Sequence, residues 1–233
     1  MTKSDLNREK RAAAEKAFEF IESGMLVGLG TGSTVKFMIE GLAEKIKNGL
    51  DVKTVSTSNA TSNFAESLGI TVLNFDDVDE INLTIDGADE VDPNLNGIKG
   101  GGGALLNEKI LASSSKKNIW IVDSTKHVKL LGRFPLPVEV VPFGVNQTLN
   151  KLFLLGYKPE FRSAAGKNYV TDGNHYIIDL HLNKIKNPAE LNNKLLLIPG
   201  VVDTGLFLEI CDVLIIGKDD DCKIILKTLK KTG

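Results

Sequence analysis

Apolar residues recur along the chain in two alternating rhythms, one of helical spacing and one of short unbroken runs. Ala14, Ala17, Phe18 and Ile21 stand at i, i+3, i+4 and i+7, which predicts a helix over residues 5–23 with Gly24 as its C-terminal stop. A buried strand is expected over 25–29, then a helix after Thr31-Gly32-Ser33 with Val35, Met38, Ile39, Leu42 and Ile46 on one face. Residues 52–56 read as strand, 61–68 as helix, and 70–75 and 80–85 as strands. A helix over 104–115 and a strand over 118–122 close the series. Strands and helices alternating at this spacing predict an α/β fold, with a mostly parallel Rossmann-like sheet covered by helices on both faces.

The pattern changes after Arg133-Phe134-Pro135-Leu136-Pro137. A strand over 138–141 and a helix over 145–155 are followed by strands over 158–163 and 174–182, joined through a Thr171-Asp172-Gly173 turn. Pro188 sits at the first position of a helix running to residue 196, and 201–208 forms a further strand. This β-α-β-β-α-β order is that of small ferredoxin-like α+β domains. The apolar strand over 211–216 returns to the parent sheet. The expected organisation is a discontinuous α/β catalytic domain, residues 1–133 and 209–233, interrupted by an α+β lid and oligomerisation domain, residues 134–208.

A length of 233 residues exceeds the ~100–150 usual for one domain, consistent with that division. Lys+Arg 28 against Asp+Glu 30 leaves no basic excess to attract nucleic acid or an anionic membrane. No apolar run approaches the ~18 residues of a membrane span. The first twenty residues carry Asp5, Glu9, Glu15 and Glu19 and no apolar core, so no secretory signal is expected. Cys211 and Cys222 are expected as reduced thiols in a cytoplasmic protein, Cys211 packing in a strand and Cys222 in the acidic turn beside Asp221. His175, Asp179 and His181 share one face of a strand, read as a solvated face rather than a metal site, and Trp120 is read as core.

Three loops after apolar strands carry the candidate chemistry. Gly28-Leu29-Gly30-Thr31-Gly32-Ser33-Thr34 is neither a dinucleotide fingerprint, since Ser33 replaces the third glycine, nor a phosphate loop with Gly-Lys-Ser/Thr. A glycine turn opening a helix suits a phosphate or a sugar hydroxyl; the plain alternative is a turn with Ser33 as an ordinary N-cap. Asp86-Gly87-Ala88-Asp89-Glu90-Val91-Asp92 places four carboxylates in seven residues, either a solvated acidic turn or ligands at the carboxyl end of a strand. Lys99-Gly100-Gly101-Gly102-Gly103 accepts an entropic cost of about 0.5–1 kcal/mol per glycine, which points to close backbone approach or a strained turn. Glu108 lies one helical turn further on, on a face it shares with apolar positions; burial there would favour its neutral form and strengthen it as a base.

These motifs, with Asp123-Ser124-Thr125-Lys126, the Leu131–Val140 stretch and Ile198-Pro199-Gly200-Val201-Val202, resemble type A ribose-5-phosphate isomerase over nearly the whole chain. The resemblance implies interconversion of ribose 5-phosphate and ribulose 5-phosphate, a step of the pentose phosphate pathway, without metal or organic cofactor. It makes Glu108 the base that moves a proton between C2 and C1 through a cis-enediolate. Asp86, Gly87, Ala88 and Asp89, with Lys99, Gly100, Gly101 and Gly102, would surround the reacting oxygens. Thr31, Gly32, Ser33, Thr34, Lys126 and Lys10 would hold the phosphate. It further implies a homodimer or tetramer. Three other classes stay open at this point: a non-enzymatic sugar-phosphate sensor, which could dispense with Glu108, a coenzyme A transferase of related fold with a nucleophilic glutamate, and an NAD-binding enzyme, weakened by Ser33 in the place of the third glycine.

Overall fold

A computed structural model describes residues 2–228. From the N-terminus, α1 (Lys3–Ala17) and a 3-10 turn lead to β1 (Leu26–Leu29), α2 (Ser33–Lys47), β2 (Lys53–Ser56), α3 (Asn59–Ser67) and β3 (Leu83–Asp86). Two short strands, β4 (Glu90–Val91) and β5 (Gly97–Ile98), precede α4 (Leu105–Ser113), β6 (Asn118–Asp123) and β7 (Leu136–Val140). Next come α5 (Val145–Leu154), β8 (Pro159–Phe161), β9 (Ser163–Ala164), β10 (Lys167–Asn168) and β11 (Tyr176–Leu180). The remaining elements are α6 (Pro188–Leu196), β12 (Val201–Thr204), β13 (Leu206–Phe207), β14 (Val213–Lys218) and β15 (Asp221–Leu226).

The chain divides into two compact units. The first comprises Met1–Gly87, Leu111–His127 and Glu209–Gly233, whose extreme ends, residue 1 and residues 229–233, lie outside the described residues. Its sheet has the order β15-β14-β6-β3-β1-β2, parallel throughout except for the β14–β15 pair. Strands buried on both faces need continuous apolar sequence, and Asn118–Asp123 is buried at every position, Trp120 among them. Val35, Met38, Ile39 and Leu42 form the buried stripe of α2, and α1 packs against α2, β6 and β14 through Ala13, Ala14 and Ala17. This is the expected α/β sheet with packed helices.

The second unit comprises Ala88–Ile110 and Val128–Leu208. It contains a four-stranded antiparallel sheet of order β12-β7-β11-β8, the β-α-β-β-α-β succession expected from the sequence. A second, three-stranded sheet, β13-β5-β4, sets the backbone around Lys99. Val138, Val140, Ile178, Leu180, Leu152 and Leu195 form its core.

Several expectations are corrected. No strand covers 70–75: Val72 makes a single bridge to Thr54, and Asn74 caps a 3-10 turn over Phe75–Asp77, a local side-chain bond that competes with a ladder. The first helix ends at Ala17 and a 3-10 turn, so Gly24 does not stop it; its N–H donates to the Asp51 carbonyl instead. The strand expected over 201–208 is broken at Gly205, which donates to Pro137 and accepts from Lys99, sending β12 and β13 to different sheets. The last parallel strand begins at Val213, leaving Cys211 just before it, buried. Cys222 lies in β15, a strand not anticipated, and is half-buried. The strand face of His175, Asp179 and His181 is not solvated throughout, because Ile177 between them is fully buried. Ile178 and Leu180 are likewise covered within their own unit, whereas Phe143, Phe153, Leu154 and Leu197 are exposed. No helix among the described residues is long and apolar enough to cross a membrane.

Candidate active site

In the first unit, β1 runs into a turn at Gly30–Gly32. Any side chain at Gly30 would collide with the Asp86 carboxylate, so glycine there lets the turn close on that group. Asp86, the last residue of β3, is buried, and its Oδ1 accepts from the Thr31 N–H at 3.0 Å and the Gly87 N–H at 2.7 Å. The Thr31 hydroxyl lies 2.8 Å from that of Thr57, 2.9 Å from that of Ser58 and 3.2 Å from that of Thr61. Ser58 is itself the N-cap of α3. Thr31 therefore bridges the strand-end carboxylate to a second helix start, a role invisible in its own motif.

Ser33 is not the N-cap of α2. Gly32, at φ +127°, caps it through the backbone alone, and Ser33 is the first helical residue. Its hydroxyl accepts from Lys10 Nζ at 3.0 Å, and the same ammonium lies 3.9 Å from Asp123 Oδ2. Thr34 is buried in that first turn. Glu9, buried on α1, accepts from the Ser124 N–H at 2.9 Å and so fixes the 3-10 turn Ser124–Lys126 that carries Lys126. Lys10, Ser33 and Asp123 are thus brought together, and Glu9 holds the Lys126 turn to the same helix. Hydroxyl donors, a helix N-terminus and ammonium groups suit a phosphate dianion.

In the second unit the acidic run disperses into separate tasks. Asp89 Oδ2 accepts from the Gly101 N–H at 2.7 Å. Glu90 is buried and receives the N–H groups of Gly132 at 2.7 Å and Phe134 at 2.8 Å. Asp92 Oδ1 accepts from Asn94 and Asn96 within its own turn. The solvated-turn alternative is therefore overturned. Among the described residues no group of three or more His, Cys, Asp or Glu is placed to hold a metal ion.

Lys99 follows β5 directly, and its N–H donates to the Gly205 carbonyl at 2.9 Å. Its ammonium lies 3.2 Å from Glu108 Oε2, and both side chains are only 3% exposed. Glu108 is thus no surface residue at a helix start: α4 turns it inward. Phe207, fully buried, presents its ring to two cations, Lys99 Nζ at 5.2 Å and Lys109 Nζ at 4.8 Å from the centroid. Lys109 also donates 2.7 Å bonds to Asp203 Oδ1 and the Thr204 carbonyl. Burial pulls the Lys109 ammonium below the usual lysine range, with Asp203 opposing the shift. A buried carboxylate against an ammonium, with backbone N–H groups nearby, can take up a proton while the cation receives charge developing on oxygen.

The remaining candidates have structural partners: His175 pairs with Glu139, His181 with Glu160 and Asp179 with Arg162. Lys99, Gly101, Asp89 and Glu108 were singled out from the sequence. Glu9, Thr57, Ser58, Arg162 and Phe207 were not, since each is separated from its motif by tens of residues and none carries a local signature.

The chain is similar to known proteins over most of its length. A family profile described as ribose 5-phosphate isomerase A (phosphoriboisomerase A) matches residues 53–221. The ribose-5-phosphate isomerase A of Levilactobacillus brevis is 49% identical over 223 residues, 95% of this chain and 98% of that protein. That of Bifidobacterium adolescentis is 49% identical over 227 residues, covering 97% and 98%. Among solved structures, a D-ribose-5-phosphate isomerase in complex with phospho-erythronic acid superposes with a TM-score of 0.91 at 38% identity, covering 95% of this chain and 99% of the other. The ribose 5 phosphate isomerase A of Neisseria gonorrhoeae gives 0.88 at 40% identity, covering 96% and 98%.

Proposed function

The chain belongs to the ribose 5-phosphate isomerase A family and is an aldose–ketose isomerase; from that premise we propose that it interconverts ribose 5-phosphate and ribulose 5-phosphate through a cis-enediolate, with Glu108 as the base. The observation that carries this reading is the Lys99–Glu108 pair, 3.2 Å apart and all but removed from solvent. Moving a proton between adjacent carbons needs one base that reaches both. Glu108 takes the proton from C2, the C–H electrons form the C1–C2 double bond, and O1 becomes the oxyanion. Returning the proton to C1 leaves the ketone at C2, while the hydroxyl proton passes from O2 to O1.

Lys99 and the N–H groups of Gly100 and Gly102 stabilise the oxyanion, the Gly101 N–H being engaged by Asp89; one such donor is typically worth about 3–4 kcal/mol. Asp89, held by the Gly101 N–H, carries the proton between O1 and O2. Asp86 assists opening of the furanose ring, with Gly87 and Ala88 forming the turn between the two carboxylates. Thr31, Gly32, Ser33, Thr34, Lys10 and Lys126 take the phosphate, whose binding energy orients the reacting end. That a relative 38% identical binds phospho-erythronic acid supports this: the molecule pairs a phosphate with a planar carboxylate that resembles the charged oxygens of an enediolate. The reaction needs neither metal nor organic cofactor, because Lys99 already supplies the positive charge. It takes place in the cytoplasm as a step of the pentose phosphate pathway. Residues 134–208 supply the contact between subunits of a homodimer.

Isomerisation of ribose 5-phosphate in deuterium oxide, followed by proton NMR in the presence of EDTA, tests the reading. Deuterium from solvent should enter C1 of ribulose 5-phosphate at an undiminished rate. Transfer without any solvent deuterium, or activity lost on chelation and restored by a divalent ion, would replace the enediolate route by a metal-assisted hydride shift.

A further inference from the structure

We propose that Arg162, locked by Asp179 and assisted by Tyr169, is a positioning residue that sets the orientation of the Gly100–Gly103 backbone opposite Asp89. The inference rests on the reading that Asp89 and the glycine N–H groups serve the isomerisation.

Four consecutive glycines form the least constrained backbone the chain could offer; one turn bond closes the loop on itself, from the Gly103 N–H to the Gly100 carbonyl at 3.0 Å, and the other peptide planes need partners from outside it. Arg162 follows β8 directly. Its Nε and Nη2 donate to the two oxygens of Asp179 at 2.9 and 2.5 Å, a bidentate pair that leaves Nη1 aimed away. Nη1 donates to the Gly100 carbonyl at 2.6 Å and to the Gly101 carbonyl at 3.3 Å. Tyr169 is the backbone partner of Arg162, its N–H donating to the Arg162 carbonyl at 2.8 Å. Its hydroxyl donates to the next carbonyl of the loop, Gly102, at 3.3 Å. The Tyr169 ring also fills the space a side chain at Gly103 would need, and Gly103 stands at φ +86°, so only glycine permits that contact. Three successive carbonyls are thereby held from one two-residue platform.

A trans peptide is planar, so its carbonyl and the following N–H point in opposite directions. Holding the Gly100 carbonyl on Arg162 therefore turns the Gly101 N–H the other way, where it meets Asp89 Oδ2 at 2.7 Å. Holding the Gly101 carbonyl fixes the Gly102 N–H by the same rule. The guanidinium charge is answered by Asp179, so Arg162 adds geometry to the loop rather than net charge. The planar fork grips both Asp179 oxygens on one edge while Nη1 reaches two carbonyls; an ammonium, with three donors on a single nitrogen, cannot meet all four acceptors.

Arg162→Lys and Tyr169→Phe, compared with wild type by steady-state kinetics on ribose 5-phosphate and by hydrogen exchange with mass spectrometry, test the proposal. Arg162→Lys should lower kcat about tenfold with KM within about threefold. Peptides covering Gly100–Gly103 should exchange at least about tenfold faster, while those covering β11 should not change. Tyr169→Phe should lower kcat about two- to threefold. A kcat for Arg162→Lys within about twofold of wild type, or a loss of kcat with unaltered exchange in the loop, overturns the proposal. Should Arg162→Lys fail to fold, Tyr169→Phe decides alone: unchanged kcat and unchanged loop exchange overturn it. An inactive wild-type enzyme would instead sink the functional reading beneath it, and the exchange data would still report on the clamp.

Discussion

Replacing Glu108 by Gln should separate two consequences of one buried charge. At 3.2 Å and an effective dielectric near 20, the Lys99–Glu108 attraction amounts to about 5 kcal/mol before desolvation. Gln keeps an acceptor of the same shape but no charge, leaving a cationic Lys99 in a site 3% exposed. Breaking a buried pair from one side costs about 3–5 kcal/mol, and the retained acceptor places this change near the lower end. For a chain of this length about 3 kcal/mol corresponds to a fall in Tm of roughly 6–12 °C. Loss of a general base lowers turnover by about 10²–10⁴, so kcat should fall at least about a hundredfold while substrate binding stays within about tenfold. Adding Lys99→Met to the same chain should restore most of the lost stability, because an uncharged pair carries no desolvation penalty, and should restore no activity. Differential scanning fluorimetry and a coupled assay measure both. An unchanged Tm for Glu108→Gln would mean that the two groups are not an ion pair in the native state. More than about 1% residual kcat would mean that another group is the base.

Lys126→Ala should raise KM with kcat nearly unchanged, whereas Lys99→Ala should lower kcat with KM nearly unchanged; the reverse partition in initial-rate kinetics would exchange the phosphate and oxyanion ends. Burial pushes the Cys211 thiol up to about 12 from an ordinary value near 9. The folded-state value is the higher one, so its contribution to stability is complete below about pH 9 and is lost as pH rises toward 12, at about 1.4 kcal/mol per pH unit. Urea denaturation between about pH 9.5 and 11 should show that slope in wild type and a shallower one in Cys211→Ala; equal slopes refute the assignment. Phe143, Phe153, Leu154 and Leu197 leave apolar surface on the second unit that is uncovered among the described residues. Sedimentation equilibrium at micromolar concentration should therefore give a dimer, weakened by Leu154→Lys, and a monomer alone would remove the assembly from the reading.

The sheet order was not legible, but most of its elements were. Buried parallel strands such as Asn118–Asp123 carry an unbroken apolar run, here Ile119–Val122, and α2 keeps a four-residue stripe at helical spacing, so each rhythm reported a burial pattern that the fold then used. Failures fell where a hydrogen bond from elsewhere overrides the local pattern. Residues 201–208 read as one strand because Val201, Val202, Leu206 and Leu208 are apolar, yet Gly205 is claimed by Pro137 and Lys99 from remote segments. The two-residue strands β4, β5, β9 and β10 are too short to carry any period.

The same distinction explains the site. Glycines, lysines and carboxylates in the three loops announced that something polar would be handled there, because such residues are costly unless used. What each would do depended on donors far away in sequence. Asp86, Asp89, Glu90 and Asp92 look alike as a charge run, yet they accept from residues 31, 101, 132 and 96 respectively, which turns one acidic stretch into four different electrostatic environments. A carboxylate that already accepts a fixed N–H has its free lone pairs aimed, and a catalyst needs aimed lone pairs more than it needs charge. Arg162 shows the converse. Nothing in its neighbourhood marks it, because its value lies wholly in reaching two carbonyls sixty residues earlier while Asp179 holds its other edge. Motifs therefore name the groups that carry the candidate chemistry, whereas the residues that hold those groups in place emerge only when the chain has folded.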